Sequence, residues 1–522
     1  GSDTTVRNCH IEGFFDSRLI LNGAKRTRLI QNSFIIYQRW GLGIDVTDTQ
    51  DVVIANNTFI GLTHVMPALM TADAKTQHLT VVGNVIEGAK TAVTGLPATG
   101  SHIVKDNVVG HADLESPYHP LFLTGTTQHA SALVPGEGTS LDDLPVIGGP
   151  TWVPGALQKR SALTARRTVI RVGHGTCGTH TCDIDASAKN EIQQAVWSVW
   201  RGGTVEVYPS TQAYAGSAVI GWSITLRGMG NHPEDVVLRN EDELLVPSSY
   251  QLWRHGAVLT VLQNQDAKTT IENLSLDVIP GTTQHVKRGV ILEYYPDAAR
   301  TSDHVLRRVS IRSTSGTDNL EQAILLGSRT LTQDVLVQGP FQTCATFGPP
   351  YTLSNKYKTP ESTAQIINFT CRLKGSDSQA PQAAFEVASV KNTLLANITV
   401  ELKTPAPLFR AQRRFTGDTG AKALDLPKSF TLNAASVRGI TTNFDGFAAG
   451  DGTYTLTNLH TLASGDAFFV SSTNSHLATG AQAIDTGVDP ATLNSTLKAG
   501  TSLDGVIRKG RQIDRGAYEQ GK

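Results

Sequence analysis

Three short runs carry charged side chains at matching places: Ile291-Leu292-Glu293-Tyr294, Ala384-Phe385-Glu386-Val387 and Leu408-Phe409-Arg410-Ala411. Two carboxylates such as Glu293 and Glu386 are what glycoside hydrolysis needs, one to protonate the leaving oxygen and one to attack or activate water. They must then stand about 5 to 10 Å apart. A cation beside a general base serves another reaction, elimination from a uronic acid, in which the cation neutralises the carboxylate and the base removes the neighbouring proton. Arg410 is followed by Arg413 and Arg414, and an earlier insertion carries Tyr351, Lys356, Tyr357 and Lys358, so elimination has the richer set of candidates. The plain alternative is a surface ion pair between Glu386 and Arg410 among solvated cations, which stabilises little. Trp40 could stack on a sugar ring or clamp a corner of the backbone. Asp45, Asp48 and Asp51 lack the glycine and distal glutamate of a calcium loop and read as turn acids. Cys177, His180 and Cys182 offer three of the four ligands that structural zinc needs, so Cys177 and Cys182 read as a disulfide or two plain thiols, with the disulfide preferred. No metal site and no cofactor are expected, with a calcium ion left open.

Such side chains need a periodic backbone to line them up. Cys9, Asn32, Asn57, Asn84 and Asn107 precede apolar pairs at intervals of 23, 25, 27 and 23 residues. That spacing fits one coil of a parallel β-helix, whose coils stack at about 4.8 Å. Asparagine suits the position because its amide can donate and accept along the stack. Gly13, Gly61, Gly88 and Gly110 recur after the same strand, where the chain is expected to turn. Further on, Asn273, Arg308, Asp334, Asn368, Asn397, Ala434 and Asn458 repeat the pattern at intervals of 35, 26, 34, 29, 37 and 24. These coils carry loops, and the non-asparagine members argue against an unbroken ladder. On this spacing Glu293 and Glu386 lie three coils, roughly 14 Å, apart, too far for a glycosidase pair without a loop acid such as Asp297. Residues 186–201 place Ile192, Ala195, Val196, Val199 and Trp200 on one helical stripe, which reads as a cap over an open strand edge. The first coils show no such start. Val6 is already mid-coil, so the first module is expected to lack its N-terminal cap and to offer that edge for self-association.

Composition narrows the partners. The 522 residues hold 45 basic and 46 acidic side chains, and no long basic run gives the concentrated positive face that nucleic acid requires. No apolar stretch approaches a membrane span. A Cys177–Cys182 disulfide would place the protein outside the cytoplasm.

Internal repetition sets the organisation. Gly138-Thr139-Ser140-Leu141-Asp142 recurs as Gly500-Thr501-Ser502-Leu503-Asp504, and each copy is followed by a Gly-Ala closure, Gly155-Ala156 and Gly516-Ala517. The second copy, with Gly480-Ala481-Gln482-Ala483-Ile484-Asp485-Thr486-Gly487, Arg508 and Asp514-Arg515-Gly516-Ala517-Tyr518-Glu519, resembles secreted bacterial right-handed parallel β-helix proteins of the pectin-lyase-like superfold with a choice-of-anchor Q ending. The first copy departs from that ending, since Leu123-Thr124-Gly125 stands where Asp485-Thr486-Gly487 stands. The resemblance implies an all-β chain of two tandem right-handed parallel β-helices, the second with an N-terminal capping helix. The expected boundaries are 1–130 for the first helix, 131–167 for a terminator and linker, and 168–522 for the second, closed by a terminator over 480–522. It also implies a sugar groove along one sheet face, and hence an extracellular or cell-surface protein that binds an acidic polysaccharide and cleaves it by elimination. Arg410, Glu386 and Glu293 would be catalytic, and Arg413, Arg414, Lys356, Tyr357 and Trp40 would bind substrate. The alternative is a non-catalytic, adhesive or filament-forming β-helix, since fold alone does not fix function.

Overall fold

A computed structural model describes residues 2–13, 19–36, 43–61, 66–87, 89–110, 168–185, 191–199, 202–215, 217–221, 223–240, 257–261, 268–279, 288–292, 303–313, 320–326, 329–347, 363–374, 381–387, 392–411, 429–447, 453–471, 473–498, 500–508 and 513–519. The chain divides into two compact units, one built from residues up to 168 with the short pieces 197–201 and 245–250, the other from the remainder.

The first unit is a parallel β-helix of three sheets with five, five and four strands. Every strand pair in it is parallel and joins neighbouring coils, for instance Leu29 beside Ile54 and Val81 beside Ile54. Its core is a row of apolar side chains that repeat from coil to coil, including Leu29, Ile54, Val81 and the stacked rings of Phe34 and Phe59, 4.9 Å apart. The asparagine ladder runs through it. Asn57 Nδ2 donates to Asn84 Oδ1 at 3.0 Å, Asn84 Nδ2 to Asn107 Oδ1 at 2.9 Å, and Asn32 Nδ2 to Asn57 Oδ1 at 3.0 Å. The same oxygens accept the backbone N–H of the coil before, as Asn84 Oδ1 does from Asn57 at 2.9 Å. A left-handed residue precedes each ladder position, and the segments that follow Gly13, Gly61 and Gly110, like Gly88 itself, lie outside the described residues. Asn8, Gln31, Asn56, Gly83 and Asp106, each directly before a ladder residue, take φ between 53° and 65°. Left-handed backbone costs a side chain least in glycine, asparagine and aspartate, which explains four of the five.

The second unit is a parallel β-helix with a long sheet of 13 strands and a short one of 8. Seven of the strands in the long sheet are each bent at a left-handed residue. The bends are Asn273, Arg308, Asp334, Asn368, Asn397, Ala434 and Asn458, with φ from 50° to 61°. Asn397 Nδ2 donates to Asn368 Oδ1 and Asn368 Nδ2 to Asp334 Oδ1, both at 2.9 Å, so the ladder here spans three coils and breaks at Ala434. The short sheet turns Phe347, Phe385, Phe409 and Phe444 inward as a row of rings. The helix is described over Glu191–Ser198, with Ile192, Ala195 and Val196 buried, while residues 186–190 and Trp200 lie outside the described residues. Cys177 and Cys182 are disulfide-bonded, as are Cys344 and Cys371, which tie the short sheet to the long one. Among the described residues Cys9 is the free cysteine.

The C-terminal segment turns back along the long sheet and covers its bends. Val488 N–H donates to Asn397 Oδ1 at 2.7 Å, Gly516 N–H to Asn397 O at 2.8 Å and Ala517 N–H to Thr370 Oγ1 at 2.9 Å. Arg508 Nε donates to Asp334 Oδ1 at 3.0 Å and Nη1 to Glu519 at 2.6 Å, with Arg508 and Asp334 wholly buried. Gly516 has φ 104°, and a Cβ there would lie 2.6 Å from Thr399 Oγ1 and 2.7 Å from Thr370 Oγ1. Only glycine lets the segment approach the sheet this closely. The earlier copy of the terminator, at 138–142 and 155–156, lies outside the described residues.

Candidate functional site

Side chains alternate along a strand, so the inward row Phe385, Phe409 and Phe444 leaves Glu386, Arg410 and Asp445 on the opposite face. The register sets Thr346, Glu386, Arg410 and Asp445 side by side on four successive strands of the short sheet, within Phe341–Phe347, Phe385–Val387, Phe409–Ala411 and Phe444–Asp445. Glu386 and Arg410 are therefore stacked neighbours. They do not form the exposed ion pair of the plain alternative, because Glu386 is only 5% exposed and its carboxylate accepts from Thr346 Oγ1 at 3.1 Å. Arg410, with 42% of its side chain exposed, instead donates to Gln382 Oε1 at 3.1 Å and lies 3.7 Å from Asp445. Burial pushes the Glu386 carboxyl above its ordinary range, opposed in part by the Thr346 hydrogen bond and by the charge of Arg410.

The row continues backward as Leu325 and Ile291. Ile291, not Glu293, occupies the rung of Glu386. The register is therefore two residues from the one that the three runs suggest. Glu293 itself lies outside the described residues, as do Trp40, Lys356, Tyr357, Arg413 and Arg414. The strand that supplies Ile291 also brings Arg288, which sequence reading missed. Its side chain is almost wholly buried, donates from Nε to Gln322 Oε1 at 2.8 Å and pairs with Glu321. Its signal was positional, since it opens a strand and pairs beside Ala257, one coil back.

Among the described residues, the face presents one reachable guanidinium at Arg410, one reachable carboxylate at Asp445, and the buried carboxyl of Glu386 behind them. It can hold an anion at Arg410. Proton transfer would require a substrate to reach Glu386 past its burial. Among the described residues no group of three His, Cys, Asp or Glu side chains could hold a metal ion, and no helix is long and apolar enough to cross a membrane.

No protein-family profile matches the chain, and no curated protein sequence does. Solved structures that it resembles include Escherichia coli YbhC, at 12% identity and TM-score 0.34, over 59% of this chain and 89% of that one. A pectin methylesterase in complex with a hexasaccharide aligns at 10% identity and TM-score 0.33, over 59% and 93%. The PL6 family alginate lyase AlyGC aligns at 11% identity and TM-score 0.26, over 88% and 70%.

Proposed function

We propose that the protein is an extracellular parallel β-helix that binds an acidic polysaccharide on the outer face of the short sheet, with Arg410 receiving a carboxylate of the sugar. The carrying observation is the half-exposed Arg410 guanidinium, whose only carboxylate neighbour among the described residues with a salt-bridge contact is Asp445 at 3.7 Å. A guanidinium so loosely paired keeps donors for a planar carboxylate. The two disulfides support the location, since such bonds persist in oxidising surroundings. Burial of Glu386 favours binding over cleavage, which makes a lyase the lesser part of the reading and a glycoside hydrolase, deprived of Glu293 as partner, lesser still. The domain limits 1–130 and 168–522, the choice-of-anchor Q character of the ending and the roles of Arg413, Arg414, Lys356, Tyr357 and Trp40 belong to the same proposal.

Retention on immobilised polygalacturonate tests it. The wild-type protein should be retained at low salt and released as salt screens the contact, and Arg410→Ala should be released at a lower salt concentration with an unchanged melting curve. Undiminished retention of Arg410→Ala sinks the assignment. Incubation with soluble uronic-acid polymers should leave the absorbance of unsaturated products flat; a rise would move the reading to a lyase.

One observation favours a structural second reading. In the first unit Leu19–Ile20 is an edge strand with Ile20 62% exposed, an apolar edge able to pair with a second copy. Sedimentation would show it, as concentration-dependent association that Ile20→Lys removes.

A further inference from the structure

The outer face of the long sheet carries a groove of about 840 Å³ that the reading above does not use. Its floor belongs to a row of rungs in which charge alternates from strand to strand: Arg171, Glu206, Arg227, Glu272 and Arg307. Its wall is the C-terminal segment, through Thr496, Lys498 and Thr501. Glu272 is shared by two arginines, accepting from Arg227 Nε at 2.5 Å and pairing through its other oxygen with Arg307. Burial favours its neutral form, but the two guanidiniums outweigh burial and hold the carboxyl below its ordinary range, so it stays charged. The pairs are lopsided in exposure. Glu272 has 9% of its side chain exposed, against 46% for Arg227 and 47% for Arg307, so the cations and not the anion face the groove.

Arg308 and Lys498 add two further charges. Arg508 also lines the groove but is spent on Asp334 and Glu519. Arg227, Arg307, Arg308 and Lys498 against the single carboxylate Glu272 leave a surplus of three positive charges among the described lining residues, with Arg508 set aside. A neutral acceptor completes the set. Asn273 is 9% exposed, its Nδ2 is fixed by the carbonyls of Gly228 at 2.8 Å and Gly230 at 2.7 Å, and its buried Oδ1 has no partner among the described residues. A buried amide oxygen left without a donor is costly, and a ligand hydroxyl would relieve it. Among the described residues none that lines the groove is aromatic, so they offer no stacking platform of the kind single-stranded nucleic acid uses.

We propose that this groove is a second binding site, for an acidic oligosaccharide whose carboxylates meet Arg227, Arg307 and Lys498 while a ring hydroxyl donates to Asn273 Oδ1. Lys498 is the residue to change. Among the described residues its hydrogen bond to the fold is through its backbone, where Gln333 Nε2 donates to Lys498 O at 2.9 Å, so charge reversal of the side chain leaves the segment in place.

The experiment is calorimetric titration with a hexameric oligogalacturonate at low salt, on the wild type, Lys498→Glu, Arg410→Ala and the double variant, each checked for an unchanged melting curve. The site predicts that Arg410→Ala keeps binding the hexamer and that adding Lys498→Glu weakens the remainder about tenfold, as loss of a charge contact does. Loss of all binding in Arg410→Ala alone overturns the groove and leaves the short-sheet reading standing. Binding that Lys498→Glu weakens and Arg410→Ala does not touch upholds the groove and removes the short-sheet reading. Equal binding of a neutral cello-oligosaccharide, or tighter binding of oligothymidylate, overturns the proposed ligand class. No binding of any hexamer by the wild type overturns both sites.

Discussion

His304 shows how one buried group ties the fold to pH. Its Nδ1 accepts the Thr269 N–H at 3.3 Å, its Nε2 has no partner among the described residues, and burial lowers its pKa to about 4 from 6.5. The folded value lies below the unfolded one, so on acidification the unfolded chain takes the proton first. Its contribution is whole above about pH 6.5 and is lost as pH falls toward 4, by on the order of 3 kcal/mol for a shift of this size. Asp334 works in the opposite sense. Burial lifts it to about 7 against the pull of Arg508, so between pH 7 and 4 the folded state holds a proton that the unfolded chain releases, and stability from this group rises as pH falls. Urea midpoints of the second unit measured between pH 7 and 4.5 should therefore fall less steeply than His304 alone dictates. They should fall more steeply in Asp334→Asn, and an identical slope in that variant would contradict the assignment. Neither group was visible as titratable-and-buried in the sequence, where His304 opens an ordinary strand. The adjacency of Glu386 and Arg410 was visible, because both sit next to a phenylalanine that must face the core. Glu293 was misplaced because Ile291-Leu292 fits that template equally well in two registers, and only the neighbouring strand decides between them.

At the scale of elements, the coil rests on its ladder. Asn57 donates from Nδ2 to Asn84 Oδ1 and to the carbonyls of Leu29 and Ala55, and accepts from Asn32, all out of water. Asn57→Ala removes these bonds and leaves buried carbonyls unpaired, which costs about 2 to 3 kcal/mol. Asn107→Ala, at the partly buried end of the ladder, should cost less, and thermal unfolding of the two variants checks the order. This element was legible from spacing, because left-handed bends restrict residue choice and so leave a mark in the sequence at every coil. The bend itself falls one residue before the asparagine, at Asn56 or Asp106, a position that sequence reading did not single out. The Cys344–Cys371 bond was missed although its separation of 27 is close to one coil, a spacing that sets successive coils in contact.

For the molecule as a whole, the second unit is closed by contacts between residues far apart in the chain. Arg508 meets Asp334 across 174 positions and Asn397 meets Val488 across 91. The motif that ends the chain announced a terminator, but nothing local to it names Asp334 or Thr370 as what it covers. Arg508→Met would leave Asp334 and Glu519 buried without their cation, at a cost of about 3 to 5 kcal/mol. Chemical unfolding of the second unit should show that loss. A variant as stable as the wild type would mean that the carboxyls are held by their protons and not by Arg508.

The long reach of that contact also orders events during synthesis. Asp334, Asn368 and Asn397 leave the ribosome long before residues 488–519, and until those arrive the three side chains stand in water, where Asp334 ionises as an ordinary aspartate. Coils can stack as they emerge, one on the last, yet the outer row of bends stays open until residues 488–519 have followed. A chain stopped before Glu519 would lack the carboxylate partner of Arg508, or Arg508 as well, and keep a wet, unsealed seam for proteases and chaperones to find.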